Sequence, residues 1–149
     1  MRILVLDPFH GAAGDMVIGA LLQLGADREL VARAMSSLVA EPVFSEVTRA
    51  GIRAVKVETC AGDHARTFDE VLARVRKGDA PPEAIARAVR VFERIAAAER
   101  EVHGGQTHFH EVGADDAIAD VVGACTALYT LRPDAVAVLP VMLGGGTGL

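Results

Sequence analysis

The chain has no Trp, one Tyr and five Phe among its 149 residues. Proteins that hold single-stranded nucleic acid by stacking bases on aromatic rings draw on a supply this chain lacks. Positive charge is also short. Fifteen Lys and Arg stand against 20 Asp and Glu, a net charge of −5, which argues against binding to a phosphate backbone. The two cysteines, Cys60 and Cys125, fit no Cys-x-x-Cys spacing, so a structural zinc site is unsupported. No apolar run approaches the ~20 residues that a membrane helix needs. With two thiols and no legible secretory leader, a reducing cytoplasm is the expected compartment. What the chain does have is apolar bulk. Hydrophobic residues make up 51%, enough for one domain over residues 1–149 with a real core and too many for a disordered segment.

Ligand-type residues are densest between Thr107 and Asp120. His108, His110, Glu111, Asp115, Asp116 and Asp120 all fall there. If Thr107–His110 is extended, alternation sends His108 and His110 to one face and Phe109 to the other. Two imidazoles followed at once by carboxylates make a seat for a divalent metal. Asp116 and Asp120, four apart, share one face of a helix that begins at Asp115 or Asp116. The plainer alternative for Asp115 is to cap that helix. Asp120 lies in an apolar run with Ile118, Val121, Val122, Cys125 and Leu128. An acid so placed is exposed, paired, or poised for function.

The rest of the chain reads as alternating strands and helices. Arg2–Asp7 and Asp134–Val141 are short apolar runs of the kind found in buried parallel strands. Asp7 ends the first, at the edge where open α/β sheets place ligands. A turn containing His10, Gly11, Gly14 and Asp15 follows, then a helix marked by Met16, Val17, Ala20, Leu21 and Leu24. Strand, glycine turn and helix present backbone N–H groups to an anion, although the pattern is neither a Walker loop nor GxGxxG. The alternative is a tight turn with Asp15 as helix cap. Gly25 stops this helix and Asp27 caps the next. Val43–Thr48 and Ile52–Cys60 read as an antiparallel hairpin turned by Arg49-Ala50-Gly51. Thr67 and Glu70 form a capping-box pattern. His64 and Arg66, just before it, are candidates for an anion or for a solvated loop. Pro81-Pro82 opens a long helix ending near His103. The predicted fold is α/β: a small mixed sheet carrying about five helices, with the hairpin at an edge. The glycine-rich stretch Leu143–Leu149, coming straight after a strand, suggests the front piece of something longer.

Two segments of this sequence resemble the LarC family of nickel insertion proteins. Leu6-Asp7-Pro8-Phe9-His10-Gly11-Ala12-Ala13-Gly14-Asp15-Met16, then Gly19-Ala20-Leu21, is similar to its opening signature. His108-Phe109-His110-Glu111-Val112-Gly113-Ala114, with Asp116, Asp120 and Gly123, is similar to its second. Val102-His103-Gly104 and Leu143-Gly144-Gly145-Gly146 also fit, so the resemblance runs over essentially the whole chain, as the N-terminal part of a two-part protein. His10 departs from it, standing where Ser is common. The resemblance implies insertion of nickel into a pyridinium bisthiocarboxylic acid mononucleotide, forming nickel–carbon and nickel–sulfur bonds to give the nickel-pincer nucleotide. It also implies a nickel chelatase of the lyase class. CTP, with Mg or Mn, is associated with the C-terminal part, the implied partner of this chain. Homo-oligomerisation is compatible with this reading.

Beside that implication the residues suggest roles. Nickel(II) accepts imidazole well and carboxylate as a harder supplement, which makes His108, His110, Glu111 and Asp120 the candidate metal ligands. The Gly11–Gly14 turn, with His10, His64 and Arg66, is the candidate seat for the substrate's phosphate. A metal–carbon bond at an aromatic ring requires loss of a ring proton, and Asp7, Asp15, Glu111, Asp116 and His110 are candidate acceptors. Two other classes fit the same residues: a metal-dependent hydrolase with Glu111 activating water, and a non-catalytic nickel chaperone or scaffold domain. The single-site version of the reading expects the Asp7 turn, the His108 cluster and the Gly144 loop to meet at one sheet edge.

Overall fold

The structure is a computed structural model and describes residues 1–9, 11–60, 66–103, 108–109 and 113–141, with 103, 108 and 109 described by their backbone. In chain order its elements are β1 (Ile3–Leu6), α1 (Gly14–Gln23), α2 (Arg28–Ser36), β2 (Val43–Arg49), β3 (Ile52–Glu58), β4 (Arg66–Thr67), α3 (Phe68–Val75), α4 (Pro82–His103), β5 (His108–Phe109), α5 (Asp115–Leu131) and β6 (Ala135–Val138). The fold is α/β with five helices and small sheets among the described residues, and none of these helices is long and apolar enough to cross a membrane.

Local chemistry accounts for the boundaries. The Asp27 carboxylate accepts from the Leu30 N–H and caps α2. Thr67 and Glu70 cap α3 reciprocally, each side chain taking the other's backbone N–H. Helix α1 ends at Gly25, whose φ of +97° lets its N–H reach the Leu22 carbonyl while Ala26 bonds back to Leu21. The hairpin turns through Ala50 and Gly51, both at positive φ, as a two-residue loop matched to strand twist requires.

Helix α5 is the centre of the molecule. Ile118, Ala119, Val122, Gly123, Cys125, Thr126 and Ala127 are buried, and α1, α2, α3 and α4 all pack on it. The core joins Ile18 and Leu21 of α1, Val31 and Met35 of α2, Val71 and Val75 of α3, and Phe92 of α4 to Ile118 and Val122. Thr126 is fully buried, and its hydroxyl donates to the Val122 carbonyl at 2.7 Å, which removes the cost of an orphaned polar group. At Gly123 a Cβ would come within 2.8 Å of Met35 Sδ and 3.0 Å of Ile18 Cδ1. Glycine there is what lets α1, α2 and α5 meet.

The strands form three two-stranded sheets rather than one mixed sheet. β1 and β6 pair in parallel with Ile3 opposite Ala135 and Leu6 opposite Val138, the pairing expected of the two apolar runs. Their burial departs from expectation. Leu4 and Leu6 are half-buried, but Ile3 and Val5 are 51% and 55% exposed and every residue of β6 is exposed. Among the described residues nothing covers the second face of this pair. The β2–β3 hairpin is a sheet by itself. Helix α1 occupies the space beside β3 that a further strand would take, so the hairpin does not extend the parallel pair.

The contact between α1 and β3 is close enough to depend on one hydrogen atom. A Cβ on Gly19 would lie 2.2 Å from the Val55 carbonyl oxygen, which is backbone and has little room to move. Gly19→Ala is therefore expected to destabilise the chain by roughly 1–3 kcal/mol despite the better helix propensity of Ala. Urea unfolding reads this directly, and an unchanged midpoint would mean that the helix and hairpin are not seated as described.

Candidate functional site

The turn after β1 positions the first group of candidates. Asp7 Oδ1 accepts from the Phe9 N–H at 3.2 Å, and Gly11, at φ +87°, donates its N–H to the Pro8 carbonyl at 3.0 Å. The chain then enters α1 at Gly14 with Ala13 in the N-cap position and no side-chain cap. Asp15 is thus inside the first turn and does not cap the helix. It is exposed, with its carboxylate on the Met16 N–H at 2.8 Å.

The second group enters through α5. β5 pairs with β4, placing His108 opposite Thr67 and Phe109 opposite Arg66. The start of α5 is clamped from that side. Arg66 donates to the Gly113 carbonyl at 2.7 Å, and its other terminal nitrogen stands 2.8 Å from Asp115 Oδ1, an ion-pair contact without hydrogen-bond alignment. Arg74 Nε lies 3.7 Å from the same oxygen. The Arg66 and Asp115 side chains are only 17% and 14% exposed. Two expectations change here. Ala114 holds the N-cap position, so Asp115 is an ion-pair anchor rather than a cap. Arg66, expected to offer positive charge to an anion, has its guanidinium engaged by Gly113 and Asp115. Arg74, which completes the clamp, lies on α3 with no motif to single it out.

The anchor fixes the direction of the remaining acids. Asp116 and Asp120 are one turn apart and face the beginning of α1. A Cβ on Gly14 would come within 2.5 Å of Asp120 Cβ and 2.6 Å of Oδ2, so the two chain segments touch at this point. Asp120 Oδ1 is buried with no hydrogen-bond partner among the described residues. Burial first, then the neighbouring charges of Asp15 and Asp116, raise the Asp120 pKa from 3.8 to about 6, against the Asp15 backbone N–H, which pulls the other way. The result is a carboxyl that changes protonation close to neutral pH, with two further carboxylates beside it.

Of the remaining candidates, His10, His64, His110 and Glu111 lie outside the described residues, as does the Gly144 loop. Among the described residues no three His, Cys, Asp or Glu side chains are grouped to hold a metal ion. The structure therefore brings Gly14, Asp15, Asp116 and Asp120 together and puts the backbone of His108 on the strand that leads toward α5.

The family model for nickel insertion proteins matches residues 4–148. This chain belongs to the nickel insertion protein family. A putative nickel insertion protein of Methanococcoides burtonii is 40% identical over 99% of this chain, and one of Methanosarcina barkeri is also 40% identical over 99%. A protein of Nocardioides sp. named pyridinium-3,5-bisthiocarboxylic acid mononucleotide nickel insertion protein is 39% identical over 95% of the chain. The chain spans about two fifths of these curated relatives, 39%, 39% and 38% of their lengths. No solved structure matches it.

In this chain Gly14 of the first sequence signature is in contact with Asp120 of the second. The chemistry of that contact has a pH signature. A carboxyl that titrates at about 6 when folded and at 3.8 when free holds its proton more tightly in the native state. Its charged form opposes folding above about pH 6, and the penalty vanishes below about pH 4. Asp120→Asn in metal-free protein is expected to gain roughly 1–3 kcal/mol at about pH 7.5 and nothing at about pH 4. Urea unfolding at the two pH values distinguishes this from a gain that persists in acid, which would owe nothing to the Asp120 charge.

Proposed function

We propose that this chain is the nickel-handling part of a machine that inserts nickel into pyridinium-3,5-bisthiocarboxylic acid mononucleotide to form the nickel-pincer nucleotide. The observation that carries the reading is the contact of Gly14 with Asp120, which joins the two signatures at a half-buried carboxyl of raised pKa. Family membership and the Nocardioides relative's name support the substrate.

In this reading nickel is cargo. His108 and His110, with Glu111 and Asp120, form its landing site, since imidazole suits the borderline ion and carboxylate completes its charge. The two thioacid sulfurs and one ring carbon of the substrate become its new ligands. Forming the nickel–carbon bond breaks a ring C–H bond, the electron pair of that bond goes to nickel, and the proton must leave. Once nickel has passed to the substrate's sulfurs Asp120 is released from it, and a carboxyl with a pKa near neutrality is then suited to take the proton and release it to water, which favours Asp120 as acceptor. Asp15 and Asp116 beside it keep its affinity for a proton high, and Asp7 at the end of β1 stands as an alternative acceptor.

The reading assigns the CTP-dependent step, with Mg or Mn, to the further polypeptide that the relatives possess. The apolar β1–β6 pair, open on one face, is where we place its contact with this domain, because parallel strands are ordinarily covered on both sides. The activity as a cytoplasmic nickel chelatase of the lyase class belongs to that whole.

Calorimetric titration of nickel into the purified chain is the test. Wild type is expected to bind at micromolar or tighter affinity, and both Asp120→Asn and the double variant His108→Ala/His110→Ala to bind at least roughly tenfold more weakly. Equal affinity in all three would remove nickel from this site and leave the domain with the organic substrate alone.

A further inference from the structure

A groove of about 620 Å³ runs between α1 and the β2–β3 hairpin, a volume within the range of small-molecule sites, about 300–1,000 Å³. One wall is a stripe on α1. Met16, Ala20 and Leu24 recur every fourth residue and so stack along one side of the helix. Met16 and Leu24 are 52% and 62% exposed, and Ala20 between them leaves a dent. The facing wall includes Val47 and Ala54, which stand opposite each other in the hairpin and so share one of its faces. The groove exists because Gly19 brings the helix against the Val55 carbonyl.

Its charges are of one predominant sign. Arg49, Arg53 and Lys56 line it. Lys56 is paired with Glu58 at 2.7 Å. Arg49 and Arg53 have no ion-pair partner among the described residues and flank the hairpin turn, one residue before it and two after. Arg49 stands opposite Ile52 and Arg53 opposite Thr48, so the two point to opposite faces of the hairpin, and Arg49 shares the face of Val47 and Ala54. In a chain of net charge −5, an arginine left unpaired beside an exposed apolar stripe is complementary to an anion that carries a flat, apolar body. Guanidinium groups match phosphate oxygens in geometry as well as charge. Asp15 lines the same groove and is one of the two carboxylates acting on Asp120, so an occupant reaches the acid pocket without leaving the groove.

We propose that this groove is the binding site for an aromatic mononucleotide, with its phosphate on Arg49 and its ring body along Met16, Ala20 and Leu24. Naming the occupant as the pyridinium mononucleotide rests on the function proposed above. The assignment separates two tasks in space: the α1–hairpin groove holds the organic molecule, and the junction of α1 with α5 holds the metal and the proton.

The test uses nicotinic acid mononucleotide, a pyridinium carboxylate bearing the same kind of phosphate, titrated into the purified chain at low salt. Inorganic phosphate and free nicotinate are titrated separately. Wild type is expected to bind the mononucleotide saturably and more tightly than either fragment. Arg49→Gln is expected to weaken binding at least roughly tenfold and flatten its salt dependence. Ala20→Phe fills the dent at an exposed helix position and is expected to abolish binding, while Arg94→Gln, which removes the same charge from the exposed side of α4, retains it. Circular dichroism on each variant confirms that the fold is kept. Mononucleotide binding by the Arg49 and Ala20 variants equal to that of wild type overturns the groove and leaves the substrate reading standing. No binding by wild type overturns the groove as a mononucleotide site, and nickel titration of the same sample then shows independently whether the metal reading survives. Loss in the Arg94 variant equal to that in the Arg49 variant reduces the effect to overall charge and overturns the proposal as well.

Discussion

Helix α1 can lie against α5 only where side chains give way, and glycine makes room at two points. At Gly123 the α5 backbone admits Met35 and Ile18, and at Gly14 the α1 backbone admits Asp120. The first contact belongs to the core and the second to the site, yet both set the same distance between the same two helices. Interiors pack at crystal-like density and do not accommodate an added methyl without a shift elsewhere. A change that pushes α1 away from α5 therefore also opens the acid pocket. On its other side α1 is held by the hairpin through Gly19, so a helix of ten residues links the core, the pocket and the groove.

The acids at the start of α5 show how one short segment is divided by its surroundings. Asp115 and Asp116 lie in the first turn of α5, where the helix dipole stabilises negative charge, and Asp120 lies one turn further on. Asp115 turns toward Arg66 and Arg74 and is neutralised there. That leaves no cation among the described residues on the α1 side, where Asp120 meets Asp15 and Asp116. Two like charges beside a half-buried carboxyl raise its affinity for a proton, and by the same physics for any cation. The arginine clamp thus holds α5 in place and keeps its own positive charge away from Asp120.

Much of this was legible in residue order. The caps at Asp27 and Thr67, the stop at Gly25 and the hairpin about Ala50-Gly51 rest on backbone chemistry that operates within a few residues, and the structure keeps them. So does the parallel pairing of the two apolar runs, because each run is short and uninterrupted by charge. The pairing of Asp116 with Asp120 followed from helical spacing alone. What could not be read was long-range. Arg66 and Asp115 are 49 positions apart in sequence, and nothing local distinguishes an arginine that meets an anion in solution from one that meets an aspartate across the fold. The same limit hid Arg74, and it hid the groove, whose walls come from α1 and a hairpin with no shared motif. Asp15 as a cap would start the helix at Met16, two residues later than its start at Gly14.

The separation of the hairpin from the parallel pair carries a consequence for how the domain is completed. A two-stranded parallel sheet is a poor unit by itself, since parallel pairs are weaker per residue than antiparallel ones and are ordinarily buried on both faces. Here Ile3 and Val5 face outward beside an entirely exposed β6. The hairpin does not relieve this, because α1 lies beside β3. Helices on one face and bare valines on the other describe one half of a layered α/β arrangement. The relatives are about two and a half times as long as this chain, so a partner layer drawn from the same polypeptide is available to them. Such a layer would rest on β1, the strand that leads through Asp7 into the Gly11–Gly14 turn. Docking there would act on the turn through one short strand, a direct mechanical route from a second domain to the acids at the start of α1.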